Sequence, residues 1–145
     1  MKYFIGNWKM FGIPRSINIL KKINSFISKD KNRNKYRVVI TPPFTLIQFF
    51  VKYFTNKKIM IGSQNCYQKD QYSSNTGAIS PFMIKSIGTQ YTLIGHSDNR
   101  AEGDTNLMLK DKVKFALKNN LKVVFCIGEN EYQKKKKKPL ILLKN

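Results

Sequence analysis

The chemistry available to this chain gathers on a few polar side chains that follow short apolar runs. Lys9 offers a fixed positive charge and Asn7 an amide that both donates and accepts hydrogen bonds. His96, the single histidine among 145 residues, is able to exchange a proton near neutral pH. A lysine, an amide and a histidine together suit a small anionic substrate whose reaction moves a proton. Thr41-Pro42, Gln64-Asn65, Ser97 and Asp98 beside His96, and Gly128-Glu129 lie in the same kind of setting. Taken singly, a lysine after a strand is ordinarily a surface charge and a lone histidine a structural hydrogen-bonder. Their ordered combination is what points to a site. Cys66 and Cys126 make neither a C-x-x-C pair nor a ligand cluster with His96, so no metal or redox centre is expected. Free, buried thiols and a cytoplasmic location fit them best.

These side chains need a scaffold, and the apolar pattern supplies one by switching period repeatedly. Tyr3-Phe4-Ile5, Arg37 to Ile40, Ile59 to Gly62, Gln90 to Ile94 and Leu121 to Ile127 read as five short strands. Helices are expected between them. Ile19, Leu20, Ile23, Phe26 and Ile27 form an apolar face after Pro14. Leu46, Ile47, Phe50, Val51 and Phe54 form a second, bounded by Pro42-Pro43 and Asn56-Lys57-Lys58. Ser80-Pro81 caps a short helix running through Ile87, and Thr105 caps one bearing Leu109, Val113, Ala116 and Leu117 that Asn119-Asn120 ends. Residues 63–80 are polar, without helical period, and long for an ordinary connection. Continuous apolar strands joined by helices predict an α/β fold with a parallel sheet, whose carboxyl edge is where such folds bind ligands. The polar clusters all fall at that edge.

The charge balance, 27 Lys+Arg against 8 Asp+Glu for a formal +19, raises a nucleic-acid or anionic-surface partner as an alternative. Only Arg15, Arg33, Arg37 and Arg100 carry the planar fork that phosphate and guanine recognition favours, and the lysines are spread among Asn and Ile. A solvated basic surface is the better reading, and nucleic acid is not the expected partner. No segment has the ~20 apolar residues of a membrane span.

Six motifs in order carry a family resemblance: Ile5-Gly6-Asn7-Trp8-Lys9-Met10, Thr41-Pro42-Pro43, Gly62-Ser63-Gln64-Asn65, Thr76-Gly77 with Ile79-Ser80-Pro81, Ile94-Gly95-His96-Ser97, and Cys126-Ile127-Gly128-Glu129. From residue 3 to about 130 the chain resembles triosephosphate isomerase. The resemblance implies an incomplete (β/α)8 TIM barrel of parallel strands alternating with helices, residues 1–130 being the N-terminal portion of the isomerase domain. It implies interconversion of dihydroxyacetone phosphate and D-glyceraldehyde 3-phosphate, a step of glycolysis and gluconeogenesis, with no metal or organic cofactor. Asn7 and Lys9 would bind substrate. Lys9 and His96 would be catalytic, His96 as the neutral electrophile known from this family. Gln64, Asn65, Thr76, Ser97 and Asp98 would support the site or the dimer loop, Thr76 reaching a partner's site to brace its Asn7. A homodimer is implied for intact relatives. Asp98, Asn99 and Ala78 depart from the family's usual glutamate, arginine and acidic residue.

In the family the glutamate of the last motif, here Glu129, is structural, and the catalytic base lies on the following strand, which this chain is expected to lack. A full barrel takes ~250 residues, so the chain is expected not to close alone and to be inactive alone. A separate C-terminal half could complete it; a non-catalytic remnant is the alternative. Residues 131–145 read as a distinct lysine-rich tail: Lys134 to Lys138, then Pro139 to Leu143. That tail is either solvated and disordered or, after Lys138, out of its original reading frame.

Overall fold

A computed structural model describes residues 1–55 and 58–128. The tail at 131–145, Glu129, and Asn56 and Lys57 at the expected end of the second helix lie outside the described residues. Five strands alternate with helices: β1 (Lys2–Asn7), α1 (Ile17–Lys29), β2 (Tyr36–Thr41), α2 (Phe44–Phe54), β3 (Ile59–Ser63), α3 (Pro81–Ser86), β4 (Tyr91–Ile94), α4 (Ser97–Ala101), α5 (Asn106–Lys118) and β5 (Lys122–Phe125). All four pairings are parallel and the order is β1-β2-β3-β4-β5. Consecutive order with a helix over every crossover is the winding of an incomplete TIM barrel, a half-barrel here. No described helix is long and apolar enough to cross a membrane.

Local chemistry places the element ends. Pro14 opens a 3-10 turn, Pro14–Ser16, that leads into α1, because its fixed φ and missing N–H cost nothing there. Ser80 Oγ accepts the Met83 N–H at 3.3 Å, and Thr105 Oγ1 accepts that of Met108 at 3.2 Å. Thr105→Ala is expected to cost about 1 kcal/mol in a urea melt, the usual price of a lost N-cap; no shift in midpoint would mean that α5 is held by packing alone.

Two apolar clusters fill the space between sheet and helices. The first joins Leu20 and Ile27 of α1 with Ile40 of β2, Leu46, Ile47 and Phe50 of α2, and Ile61 of β3. The second joins Cys66, Ile84, Ile94, Leu109, Ala116 and Leu121. The expected face of α1 is rotated: Ile17, Leu20 and Ile27 are buried, whereas Ile19 and Phe26 stay exposed on the neighbouring helical row. On α5, likewise, Leu117 is exposed and the buried row is Leu109, Lys112 and Ala116. Periodicity finds an apolar stripe about 100° wide; which of its rows meets the sheet depends on helix orientation.

Candidate active site at the carboxyl edge

The loop leaving β1 carries Asn7 and Lys9. Lys9 takes φ +50°, a left-handed conformation that costs a side-chain-bearing residue about 1–2 kcal/mol. Its neighbours hold it there. Asn7 Oδ1 accepts the Lys9 N–H at 2.9 Å, and Gln64 Nε2 donates to both the Lys9 carbonyl (2.7 Å) and the Thr41 carbonyl (2.9 Å). Trp8 donates its backbone N–H to Thr41 O and packs edge-on against Phe50 at 5.7 Å. A Cβ at Gly12 (φ +113°) would stand 2.9 Å from the Trp8 ring, so only glycine lets the loop fold back over that indole. A strained residue held by several partners is the arrangement expected where geometry serves function.

His96 follows β4. Gly95 (φ +78°) turns the chain, and His96 caps α4 with its own ring, Nδ1 accepting the Asp98 N–H at 3.2 Å. A nitrogen that accepts from an N–H has no proton, so the neutral ring carries its hydrogen on Nε2. The Asp98 carboxylate also lies 3.5 Å from Nδ1. That proximity is not an ion pair, because the Nδ1 lone pair already takes the Asp98 N–H. The carboxylate is matched instead by Lys9 Nζ at 3.4 Å and by Ser97 Oγ at 3.5 Å. Lys9 and Asp98 are each 56% exposed, so their attraction is worth only about 0.2–1 kcal/mol. It links the β1 and β4 loops more than it stabilises them.

The fold thus brings Asn7, Lys9, Gln64, His96, Ser97 and Asp98 to one edge. Asn65 lies beside them but faces the protein: its Oδ1 accepts from the Cys66 N–H at 2.9 Å and from Lys112 Nζ at 3.1 Å. Thr76 sits in the exposed stretch 71–77, and no hydrogen bond among the described residues joins it to Asn7. Burial pushes the Cys66 thiol up to about 12, which leaves it protonated and unreactive.

Several supporting residues were not foreseen from sequence. Lys112 is buried on α5 and donates to both Asp104 oxygens at 2.6 and 2.7 Å besides Asn65. Its signal was available, since position 112 falls on the same helical row as Leu109 and Ala116, where a lysine must find an acid. Arg100 clamps the His96 turn, donating to the Gly95 carbonyl (2.8 Å), the Asn106 side chain (3.3 Å) and the Cys126 carbonyl of the next strand end (3.4 Å). Helix α4 is too short to leave a periodic trace.

Comparison with known proteins agrees with this geometry. The family model described as triosephosphate isomerase matches residues 2–145. The triosephosphate isomerase of Wolbachia pipientis wMel is 35% identical over 140 residues, 94% of this chain and 54% of that protein. That of Bacteroides fragilis is 38% identical over 126 residues, 86% of this chain and 49% of the relative. A crystal structure of triosephosphate isomerase from Bartonella henselae superposes with a TM-score of 0.90 at 32% identity, over 99% of this chain and 58% of that one. The chain spans about half the length of the curated relatives it matches.

Proposed function

Because the chain belongs to the triosephosphate isomerase family, we propose that its β1 and β4 loops bind a triose phosphate and polarise its carbonyl during aldose–ketose isomerisation. The observation that carries this reading is the His96 hydrogen bond: with Nδ1 occupied by the Asp98 N–H, Nε2–H is the ring's donor. In triosephosphate isomerase itself a neutral imidazole is the established electrophile. When a base removes the proton from the carbon next to the carbonyl, the electron pair moves onto the carbonyl oxygen. Nε2–H of His96 and the Lys9 ammonium would meet that developing charge, where preorganised donors act most strongly. Asn7, its Oδ1 engaged by Lys9, would offer substrate its amide N–H groups. The glycolytic role and a cytoplasmic setting follow from the family reading, with both cysteines free.

The base would come from further β/α units, on this polypeptide or another. The sheet edges support such a supplement. Tyr3, Phe4 and Ile5 of β1 are 52, 57 and 38% exposed, and Phe125 and Ile127 at the other edge are 45 and 67% exposed. Beside β1, a cavity of about 1050 Å³ lined by Phe4, Ile23, Phe26 and Val38 is open to the surface. Added strands would pair the ladder edges that no strand among the described residues occupies and cover this apolar surface. A homodimer fits Met10 and Phe11, 94 and 75% exposed beside the site, as surface for a partner's loop bearing Thr76.

The test is a coupled isomerase assay on the 145-residue chain, alone and mixed with a polypeptide supplying three further β/α units of the family. We expect turnover only in the mixture, because a positioned base is worth ~10²–10⁴ in rate and the closing loop adds to it. Silence in both, with the mixture shown to associate, would make the chain a non-catalytic remnant.

A further inference from the structure

The end of the sheet opposite His96 holds a second concentration of charge. Over residues 1–69 the chain has eleven lysines and three arginines against a single acid, Asp30. Three of these cations, Arg33, Arg37 and Lys58, line one cavity of about 220 Å³ together with Asn34, Tyr36 and Met60. The placement follows from register. Val38 pairs with Ile59, so Arg37 and Lys58, each one residue earlier, lie side by side at the amino edge of β2 and β3. Arg33 and Asn34 reach the same place from the α1–β2 loop. Like charges side by side on neighbouring strands repel; Arg33 and Lys58 are exposed and Arg37 is half-buried, so an anion from solvent can reach all three.

Their compensation is partial: Asp30 is near enough to Arg33 for the two charges to attract, and, after hydrogen bonds from Asn32 and Tyr36, that attraction helps hold the Asp30 carboxyl below its usual range. Among the described residues no carboxylate stands within ion-pair distance of Arg33, Arg37 or Lys58. Asp30, the acid of this region, is engaged chiefly by hydrogen bonds: it accepts the Asn32 N–H and the Tyr36 hydroxyl, each at 2.8 Å. Arg37 spends one guanidinium N–H on the Tyr36 carbonyl at 3.1 Å, which fixes the fork while leaving its other donors for a ligand.

We propose that this cavity is a binding site for a small phosphate-class oxyanion, inorganic phosphate or pyrophosphate, held by Arg33, Arg37 and Lys58 at the amino end of the strands. The size of the cavity suits a small anion. At ~30 Å³ per water the cavity has the room of about seven waters, enough for a phosphate or pyrophosphate. Pockets that enclose nucleotide-sized ligands usually run to ~300–1,000 Å³. Two arginine forks and one ammonium match the oxygens of such an anion.

Titration calorimetry of the full 145-residue chain with pyrophosphate, repeated with inorganic phosphate, tests the site. One anion per chain is expected, bound about tenfold or more weakly in Arg37→Gln and in Arg33→Gln, the loss typical of a charge-assisted hydrogen bond. Arg33 lies on an exposed loop, so its variant keeps the test valid if Arg37→Gln loses its fold by circular dichroism. Lys22→Gln removes the same charge from the exposed face of α1 and should leave affinity within about twofold, as screened distant charges do. Lys9→Met should retain binding as well, which separates this cavity from the proposed substrate site: failure of the isomerase reading leaves the result untouched. Equal weakening by Lys22→Gln, several anions per chain, no saturable binding, or loss in Lys9→Met would each overturn the proposal. So would retention of a single-stranded RNA that pyrophosphate does not displace, which would make the charge a polyanion surface.

Discussion

Glutamine in place of His96 is expected to lower kcat of the reassembled isomerase by ~10²–10⁴, the range for a positioned proton donor, with KM changed far less. Glutamine keeps a polar N–H but not the ring that ties the catalytic group to the Asp98 N–H, so the donor loses its fixed direction. In the proposed mechanism the interaction lost is one made chiefly as charge develops on the carbonyl oxygen, hence the expected fall in kcat. The ring can also be read directly in the chain by itself. Nitrogen NMR should find Nδ1 without a proton and Nε2 carrying one. A protonated Nδ1 in the neutral ring would contradict the hydrogen bond on which the proposed mechanism stands.

The largest expected effect on stability is at Lys112. Its ammonium has three N–H groups and three acceptors, two oxygens of Asp104 and one of Asn65, and the Lys112 and Asp104 side chains are only 4 and 9% exposed. Removing one partner of such a pair leaves the other charge buried and uncompensated, at a cost of about 3–5 kcal/mol. Against the 5–15 kcal/mol of an ordinary domain, Asp104→Ala or Lys112→Met should leave little folded protein at moderate urea. The double variant should cost much less than the two single changes together, because no orphaned charge remains. Additive costs would mean that the two side chains act independently. The proposed site is coupled to this pair as well. Asn65 is adjacent to Gln64, whose amide holds the strained Lys9, so a loosened Asn65 would disturb the Lys9 loop before the chain unfolds.

How much of this was legible in the residues depends on the range of the interaction concerned. Alternating short apolar runs and helical stripes identified the α/β order, because side-chain period is a local property of backbone geometry. Pro14, Ser80 and Thr105 marked element starts, since a cap acts within three residues. The ordered clusters ending in Lys9, Gln64 and His96 pointed to one edge, and the resemblance they carry named the family. Sequence did not reveal that Gln64 grips the Lys9 and Thr41 carbonyls, that Arg100 ties the His96 turn to Cys126, or that Arg33, Arg37 and Lys58 share a cavity.

The sequence by itself therefore determined the family, the order of the strands and of every helix but α4, and which charged and polar residues stand at the carboxyl edge. Tertiary structure alone decided the His96 tautomer, the left-handed Lys9, the burial of Lys112 against Asp104 and the rows of α1 and α5 that face the sheet. The physical reason is distance along the chain. Gln64 is 55 residues from the carbonyl it holds and Lys112 is 47 from Asn65. Such pairs form only once parallel strands are in register, and no local preference of either residue records them.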